Sequence, residues 1–443
     1  MRKIHGFVYG LASLAAVWGC GNGGGAAKGA EPGEKTLIEV HAFKGGYGVD
    51  FYDKAAQEWA AKNPSYSVKV VGDPRIWEKL QPMFIGGNPP DLTFPGWGMD
   101  HWALAEEGQL EDLTEAIKGK PYEGEGTWAD TFNPKLLALG QMDGKQYMLP
   151  YYVMMHGWWY DPGLFAKNGW TPPKTWDELL SLGEKMKAKG IAPLAYQGKY
   201  PYYMIEGFLL PWLISAGGSP AFENAQNMEP GAWKSPAMLK AAQMIDDLRK
   251  RGFFMKGTLG LDHTSAQMEF LKGKAAMIPC GTWLSSEMEG SFPPGVKIQF
   301  MMPPSASNPI GDPSSLLIGI EPWMVPSKAK HKEQAIDLFK YMTSKSVAKR
   351  FVEEKGTLMA IKGADEGVKL PDVVVEPAKA FNQSKYLYAV QFRQWYKKFE
   401  TELEGLMASL LEGKITPQQF CDGAEAQAEK VRTDETITKH KAS

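Results

Sequence analysis

The sequence predicts an α/β protein, and three observations carry that reading. Residues Thr36–Phe94 run strand, helix, strand, helix, strand, the order of a parallel sheet covered by helices. Capping signals open later helices at Thr175-x-x-Glu178, Ser235-Pro236 and Thr416-Pro417-Gln418-Gln419. The chain has 443 residues, and removing a leader of 19 leaves 424, enough for two or more lobes with substantial cores.

The elements follow in order. Arg2 and Lys3 form a short positive region, and Phe7–Trp18 is apolar but too short to span a bilayer as a mature helix. Val17-Trp18-Gly19-Cys20 looks like a bacterial lipoprotein cleavage site, with Trp18 standing where a small residue is favoured. Residues 1–19 therefore read as a signal peptide, Cys20 as the lipidated first residue, and residues 20–35 as a flexible tether.

Thr36–Phe43 is the first strand. Asp50 is placed to cap a helix whose Tyr52, Ala55, Ala56, Trp59 and Ala60 form one apolar stripe, stopped by Asn63-Pro64. Ser67–Val71 and Asp91–Phe94 read as strands, with a helix over Trp77–Ile85 between them. Helices follow Thr175 and Ser235, a short one covers Ser265–Lys272, and Ala275–Pro279 is a strand. Leu316–Ile320 and Trp323–Val325 are separate short apolar segments. Lys332–Thr343, an unbroken Phe392–Leu411 and a helix to about Val431 complete the set, and the polar tail 434–443 is expected to fray.

Composition excludes several functions. A net charge of −2 gives nucleic acid or an anionic surface nothing to attract. There is no second run of 18 or more apolar residues. Cys280 and Cys421 read as two buried free thiols, and neither a CxxC nor a zinc-type Cys/His spacing is present. The chain lacks HExxH, GxSxG, GxxxxGK[ST] and a strand–helix GxGxxG, so neither an enzyme nor a metal or other cofactor is expected. A glycosidase needs two placed carboxylates, and nothing among the 51 acidic residues singles out a pair. The useful bias is aromatic: 12% of residues, with 15 Trp, whose flat faces suit sugar rings.

Several segments then fall in a specific order. Gly87-Asn88-Pro89-Pro90-Asp91-Leu92 precedes Leu104–Leu113, then Asp143–Pro150, Trp159–Phe165 and Pro172–Leu179. Phe270-Leu271-Lys272-Gly273-Lys274-Ala275-Ala276-Met277 with Gly281-Thr282-Trp283, and Lys328–Phe351, come later. This series resembles the extracellular carbohydrate-binding proteins of ABC importers, the broad group that includes maltose-binding protein, over most of Thr36–Val431. The resemblance implies a two-lobe periplasmic binding protein fold with a ligand cleft at a hinge the chain crosses several times. It implies lobe 1 over 36–153 plus 318–360 and lobe 2 over 154–317 plus 361–433. It also implies a monomer that captures a mono- or oligosaccharide by closure and delivers it to membrane permease subunits. Gly190–Tyr202 resembles the subgroup for N-acetylglucosamine and chitobiose uptake. A lipid-anchored glycan binder without a permease, or the same fold holding a non-sugar ligand, are the alternatives.

Sugar sites combine aromatic faces with planar polar side chains for the hydroxyls. Lys44 and Tyr47 follow the first strand, at the edge where such a cleft opens. Trp97 and Asp100 lie in a loop where Gly96 and Gly98 leave room for stacking. Asp91 reads as structural, and Trp102, Trp158 and Trp159 as core. His156 lies beyond the Leu149-Pro150 crossover. Gln197, Tyr200, Tyr202 and Glu206 belong to the densest polar-aromatic cluster, which no helical or strand period explains. Trp283 follows a strand end, and Glu321 and Trp323 sit at another crossing. Arg393 and Trp395 are explained equally well by a solvated helix face.

Overall fold

The computed structural model describes residues 35–442. The expected signal peptide, Cys20 and all but the last residue of the tether lie outside the described residues.

The first lobe is built on β1 (Thr36–Phe43), α1 (Asp50–Lys62), β2 (Tyr66–Asp73), α2 (Ile76–Ile85), β3 (Leu92–Phe94) and α3 (His101–Glu106). The strands form a parallel sheet in the order β2-β1-β3. The apolar stripe of α1 is buried as its spacing requires, with Phe51, Tyr52, Ala55, Ala56, Trp59 and Ala60 turned inward. Asp50 is not the cap: Val49 holds that position, and Asp50 occupies the first turn, where Lys355 Nζ meets its carboxylate at 2.7 Å. Asp91 is structural, accepting from the backbone N–H groups of Glu39 and His331 at 2.9 Å each.

The second lobe contains α4 (Trp176–Ala188), β5 (Ala192–Leu194), α5 (Leu210–Gly217), α6 (Pro236–Lys250), α7 (His263–Leu271), β6 (Ala275–Gly281) and β7 (Gln299–Met301). β4 (Leu149–Tyr160) and β8 (Leu316–Trp323) belong to the second sheet. The expected capping boxes at Thr175 and Thr416 are both formed, and Ser235 accepts from the Met238 N–H. α8 (Lys332–Met342), α9 (Lys345–Lys355), β9 (Leu387–Tyr388), α10 (Phe392–Trp395), α11 (Lys397–Leu411) and α12 (Pro417–Thr433) follow.

The second sheet runs β9-β8-β4-β6-β5, with β7 also paired to β4. β8 and β4 are antiparallel from Leu317↔His156 to Trp323↔Leu149, while the far end of β4 pairs with β6. A bridge from Met324 to Thr93 ties the end of β8 to the first sheet. The two apolar segments expected around Pro322 are thus one strand. Its register shifts between Ile320 and Pro322, where the proline ring has no N–H to give the ladder.

Two further expectations are corrected. The helix expected over Phe392–Leu411 is broken at Tyr396 (φ −133°, ψ 72°). The tail is docked rather than frayed: the His440 N–H donates to the Tyr396 hydroxyl at 2.8 Å, and His440 Nε2 lies 2.6 Å from Glu106 of α3. The Ala442 N–H donates to Asn227 at 2.8 Å. Three specific polar contacts hold a segment whose composition contains no apolar pattern to announce them. Cys280 and Cys421 are buried free thiols, as read from the sequence. Among the described residues no helix is long and apolar enough to cross a membrane.

Candidate functional site

The loops at the carboxyl ends of β1 and β6 meet, and such ends are where open α/β sheets place ligands. On the first lobe the loop after β1 brings Gly46 against Trp283 of the second lobe: a Cβ on Gly46 would lie 3.4 Å from the Trp283 Cβ. On the other side Trp102 Nε1 donates to Gln394 of α10 at 3.0 Å. The seam between these contacts is the candidate cleft.

Its second-lobe wall begins with a local irregularity. Ile205–Leu209 winds as a π-helical turn, a form that recurs at functional sites. Pro211, two residues further on, has no N–H for the Gly207 carbonyl four residues back; Trp158 Nε1 donates to that carbonyl instead, at 2.8 Å. Gly207 must be glycine, since a Cβ there would come within 2.7 Å of Pro279 on β6. The wide turn carries Glu206, which is 6% exposed.

Glu206 sits between two cationic or titratable partners. One is Arg393 from α10, which donates to Oε1. The other is His156 from β4, whose Nδ1 lies 3.4 Å from Oε2. Arg393 also binds Glu400 at 2.6 Å and lies 4.4 Å over the ring of Tyr202. Tyr202 stacks on Tyr203 at 4.4 Å, and Trp283 packs edge-to-face on His156 at 5.0 Å. The wall is therefore one connected set, Trp283–His156–Glu206–Arg393–Tyr202. Four of these residues were singled out in the sequence. Arg393 gains its role from the break at Tyr396, which the apolar spacing of the following helix does not reveal.

The electrostatics follow from burial and pairing. Burial lowers the His156 pKa, Glu206 opposes the shift and Arg393 adds to it, so the ring is neutral near pH 7. Burial works against the charge on Arg393, but Glu206 and Glu400 outweigh it and hold the guanidinium cationic. Glu404, behind Arg393 on α11, is pushed up to about 7, first by burial and then by Glu400 and Glu206 against the pull of Arg393. A carboxyl raised from 4.5 in this way supports the fold fully below pH 4.5, and that support is lost as pH rises through 7. Glu404→Gln is therefore expected to raise the unfolding temperature at about pH 8 and to leave it unchanged below about pH 4.5. A melting series across that range checks both ends.

The first-lobe side is set by glycine-dependent packing. A Cβ on Gly98 would lie 2.3 Å from the Trp77 ring, so the loop after β3 closes only on glycine. That leaves Trp97 43% exposed, edge-on to Phe94 at 6.1 Å. Lys44 is exposed on the loop after β1. Tyr47 is buried edge-on against Tyr152 at 4.8 Å, and burial pushes its hydroxyl up to about 12. Thr357 and Thr282 offset part of that rise.

The remaining expected contacts divide between a helix cap, the buried core and the surface. Asp100 is the N-cap of α3, accepting from the Ala103 N–H at 3.0 Å. Gln197 is 0% exposed, with its amide donating to the Pro279 carbonyl at 2.8 Å inside the second lobe. Glu321 is buried, accepts from the Tyr52 hydroxyl at 2.9 and 3.0 Å, and is held well above the usual carboxylate range by burial. Trp323 is 0% exposed, stacked on Phe339 at 5.6 Å. Both sit where a strand crosses between lobes, and both face the first-lobe core. Tyr200 is exposed at the rim, 5.6 Å from His263. Trp102, Trp158 and Trp159 are core, as expected. Among the described residues no group of three or more His, Cys, Asp or Glu is arranged to hold a metal ion.

Comparison with known proteins places this architecture. The diacetylchitobiose binding protein NgcE of Streptomyces coelicolor is 30% identical over 422 residues, 92% of this chain and 87% of that protein. A multiple sugar-binding protein of Streptococcus mutans is 25% identical, over 76% of this chain and 78% of that one. Among solved structures, a chitin oligosaccharide binding protein superposes with a TM-score of 0.71 at 22% identity, covering 89% of this chain and 98% of the other. RafE in complex with raffinose gives 0.70 at 23% identity, over 88% and 98%. These relatives are binding proteins, and the solved structures share the two-lobe α/β fold. The profile of the bacterial extracellular solute-binding protein family matches residues 45–349, and the chain belongs to that family.

Proposed function

We propose that the chain is the extracytoplasmic sugar-binding component of an ABC importer, exported and held at a membrane through Cys20. It captures a mono- or oligosaccharide by hinge closure and delivers it to permease subunits. The observation that carries this reading is the connected wall of Trp283, His156, Glu206, Arg393 and Tyr202, with the exposed Trp97 on the first lobe in support. Flat rings meet the C–H faces of a sugar, and fixed polar groups meet its hydroxyls. The internal pairing of Glu206 with Arg393 leaves no single unopposed charge in the wall, which suits a neutral ligand. The hinge is assigned to β4 and β8, with lobe 1 over 36–153 plus 318–360 and lobe 2 over 154–317 plus 361–433.

An N-acetylglucosamine or chito-oligosaccharide ligand is the specific choice, supported by the Gly190–Tyr202 segment and by the NgcE relative. Isothermal titration of the purified chain against N-acetylglucosamine, diacetylchitobiose, maltose, cellobiose and xylobiose tests it. Micromolar or tighter binding to the first two alone is expected. Tight binding to another sugar keeps the importer role and discards the ligand choice; no binding to any of them counts against the sugar reading. Trp97→Ala is expected to weaken binding roughly 10-fold with its melting temperature unchanged, because the ring is a surface group held by few contacts. An affinity equal to wild type removes Trp97 from the site.

A further inference from the structure

His156 is the one ring in the wall whose hydrogen-bonding polarity depends on a choice of proton position. Its Nδ1 faces Glu206 Oε2 at 3.4 Å. A carboxylate only accepts, so the nitrogen opposite it carries the proton; a bare lone pair there would face another lone pair. The backbone at His156 is fixed between two strands, and its ring packs against one aromatic neighbour. Leu317 of β8 and Gly281 of β6 are its strand partners on either side, and Trp283 packs edge-to-face on it. Burial disfavours a second proton, and Arg393 adds to that effect. Nε2 is then left bare on the edge turned away from Glu206.

We propose that Glu206 is a positioning residue that fixes His156 as the Nδ1–H tautomer, so that Nε2 presents a lone pair to the cleft and selects a ligand group that donates a hydrogen bond. In a sugar that group is a hydroxyl or an amide N–H. The ligand side of this inference rests on the sugar-binding reading; the tautomer does not. The charged and titratable groups around His156 are Glu206 of the π-helical turn and Arg393 of α10. Behind Arg393 stand Tyr202 and the α11 residues Lys397, Glu400 and Glu404, and Cys280 of β6 lies one register step away. Arg393 is the cation through which α11 reaches the site: it pairs with Glu206 Oε1, while Oε2 is the oxygen opposite Nδ1.

The test is a nitrogen–proton correlation of the histidine side chains in the ligand-free full chain at neutral pH, with His156 assigned by its disappearance in His156→Gln. A protonated Nδ1 and a bare Nε2 are expected. Glu206→Gln, whose amide oxygen still accepts from Nδ1, is expected to keep that pattern, and Glu206→Ala to average the two nitrogens. An Nε2–H tautomer in the wild type, or no change in Glu206→Ala, overturns the proposal. In titrations with diacetylchitobiose, His156→Phe is expected to lose about 10-fold or more, with His156→Gln recovering part of the loss through its own acceptor. Equal losses in the two variants overturn the selection of a donor. If the wild type binds no sugar, the sugar-binding reading falls, and the spectrum still decides the tautomer.

Discussion

Arg393→Met will destabilise the chain by about 3–5 kcal/mol, the range found when one partner of a buried ion pair is removed. The reason is what stays behind. Glu206 is nearly buried and keeps only His156, a neutral ring, while Glu400 and Glu404 lose the cation between them and the cleft. Methionine fills much of the volume, so the loss is of charge compensation rather than packing. Adding Glu206→Gln to the variant is expected to restore part of the stability, because it removes a carboxylate that no longer has a counter-ion. Urea unfolding of the two single variants and the double reads this directly. A single variant within about 1 kcal/mol of wild type would show that the cluster is solvated rather than buried.

Trp323→Ala is expected to cost about 3–5 kcal/mol of stability, as large-to-small changes at fully buried aromatics do. The indole stacks on Phe339 and meets Tyr52 edge-to-face at 5.0 Å, and Tyr151 and Phe94 close the remaining sides. None of that surface faces the cleft. Trp283→Ala provides the contrast. It removes a half-buried ring from the wall, so its main effect is expected on sugar affinity, with a stability change of about 1 kcal/mol or less. Denaturant midpoints and titrations of the two variants separate the roles. A Trp323→Ala chain that kept its stability and lost its affinity would reverse the assignment.

The contrast between these two tryptophans shows what the sequence could and could not reveal. Both follow or end a strand, and both lie near a place where the chain passes between lobes. Strand position predicts proximity to the cleft, but not which face of the strand a side chain takes. The shift of register at Pro322 decides that for the end of β8, and it depends on pairing with a distant strand. Local chemistry was more reliable. The capping boxes at Thr175 and Thr416, the apolar stripe of α1 and the backbone-accepting Asp91 are all short-range or pattern-based, and all are found. Arg393 was hidden for the opposite reason. Its helix breaks at Tyr396, whose hydroxyl accepts from the residue 440 N–H, a contact across 44 positions that no periodicity encodes. Glu206 and Tyr202 could be named because their cluster is too polar and too aromatic for any helical or strand period, His156 because it lies beyond a crossover, and Trp283 because it follows a strand end. Their convergence into one wall is a tertiary fact.

The docked tail has a practical side. Residues 434–442 leave the second lobe, lock Tyr396 through His440 and end against Asn227, with Glu106 of the first lobe held on the way. Residues 440–442 are therefore part of the joint between the lobes. An affinity handle or fluorophore attached within residues 439–442 pulls on the same contacts that join α3 to the segment after α10. A label placed there would act as a reporter of lobe movement, and a bulky one would disturb the movement it reports.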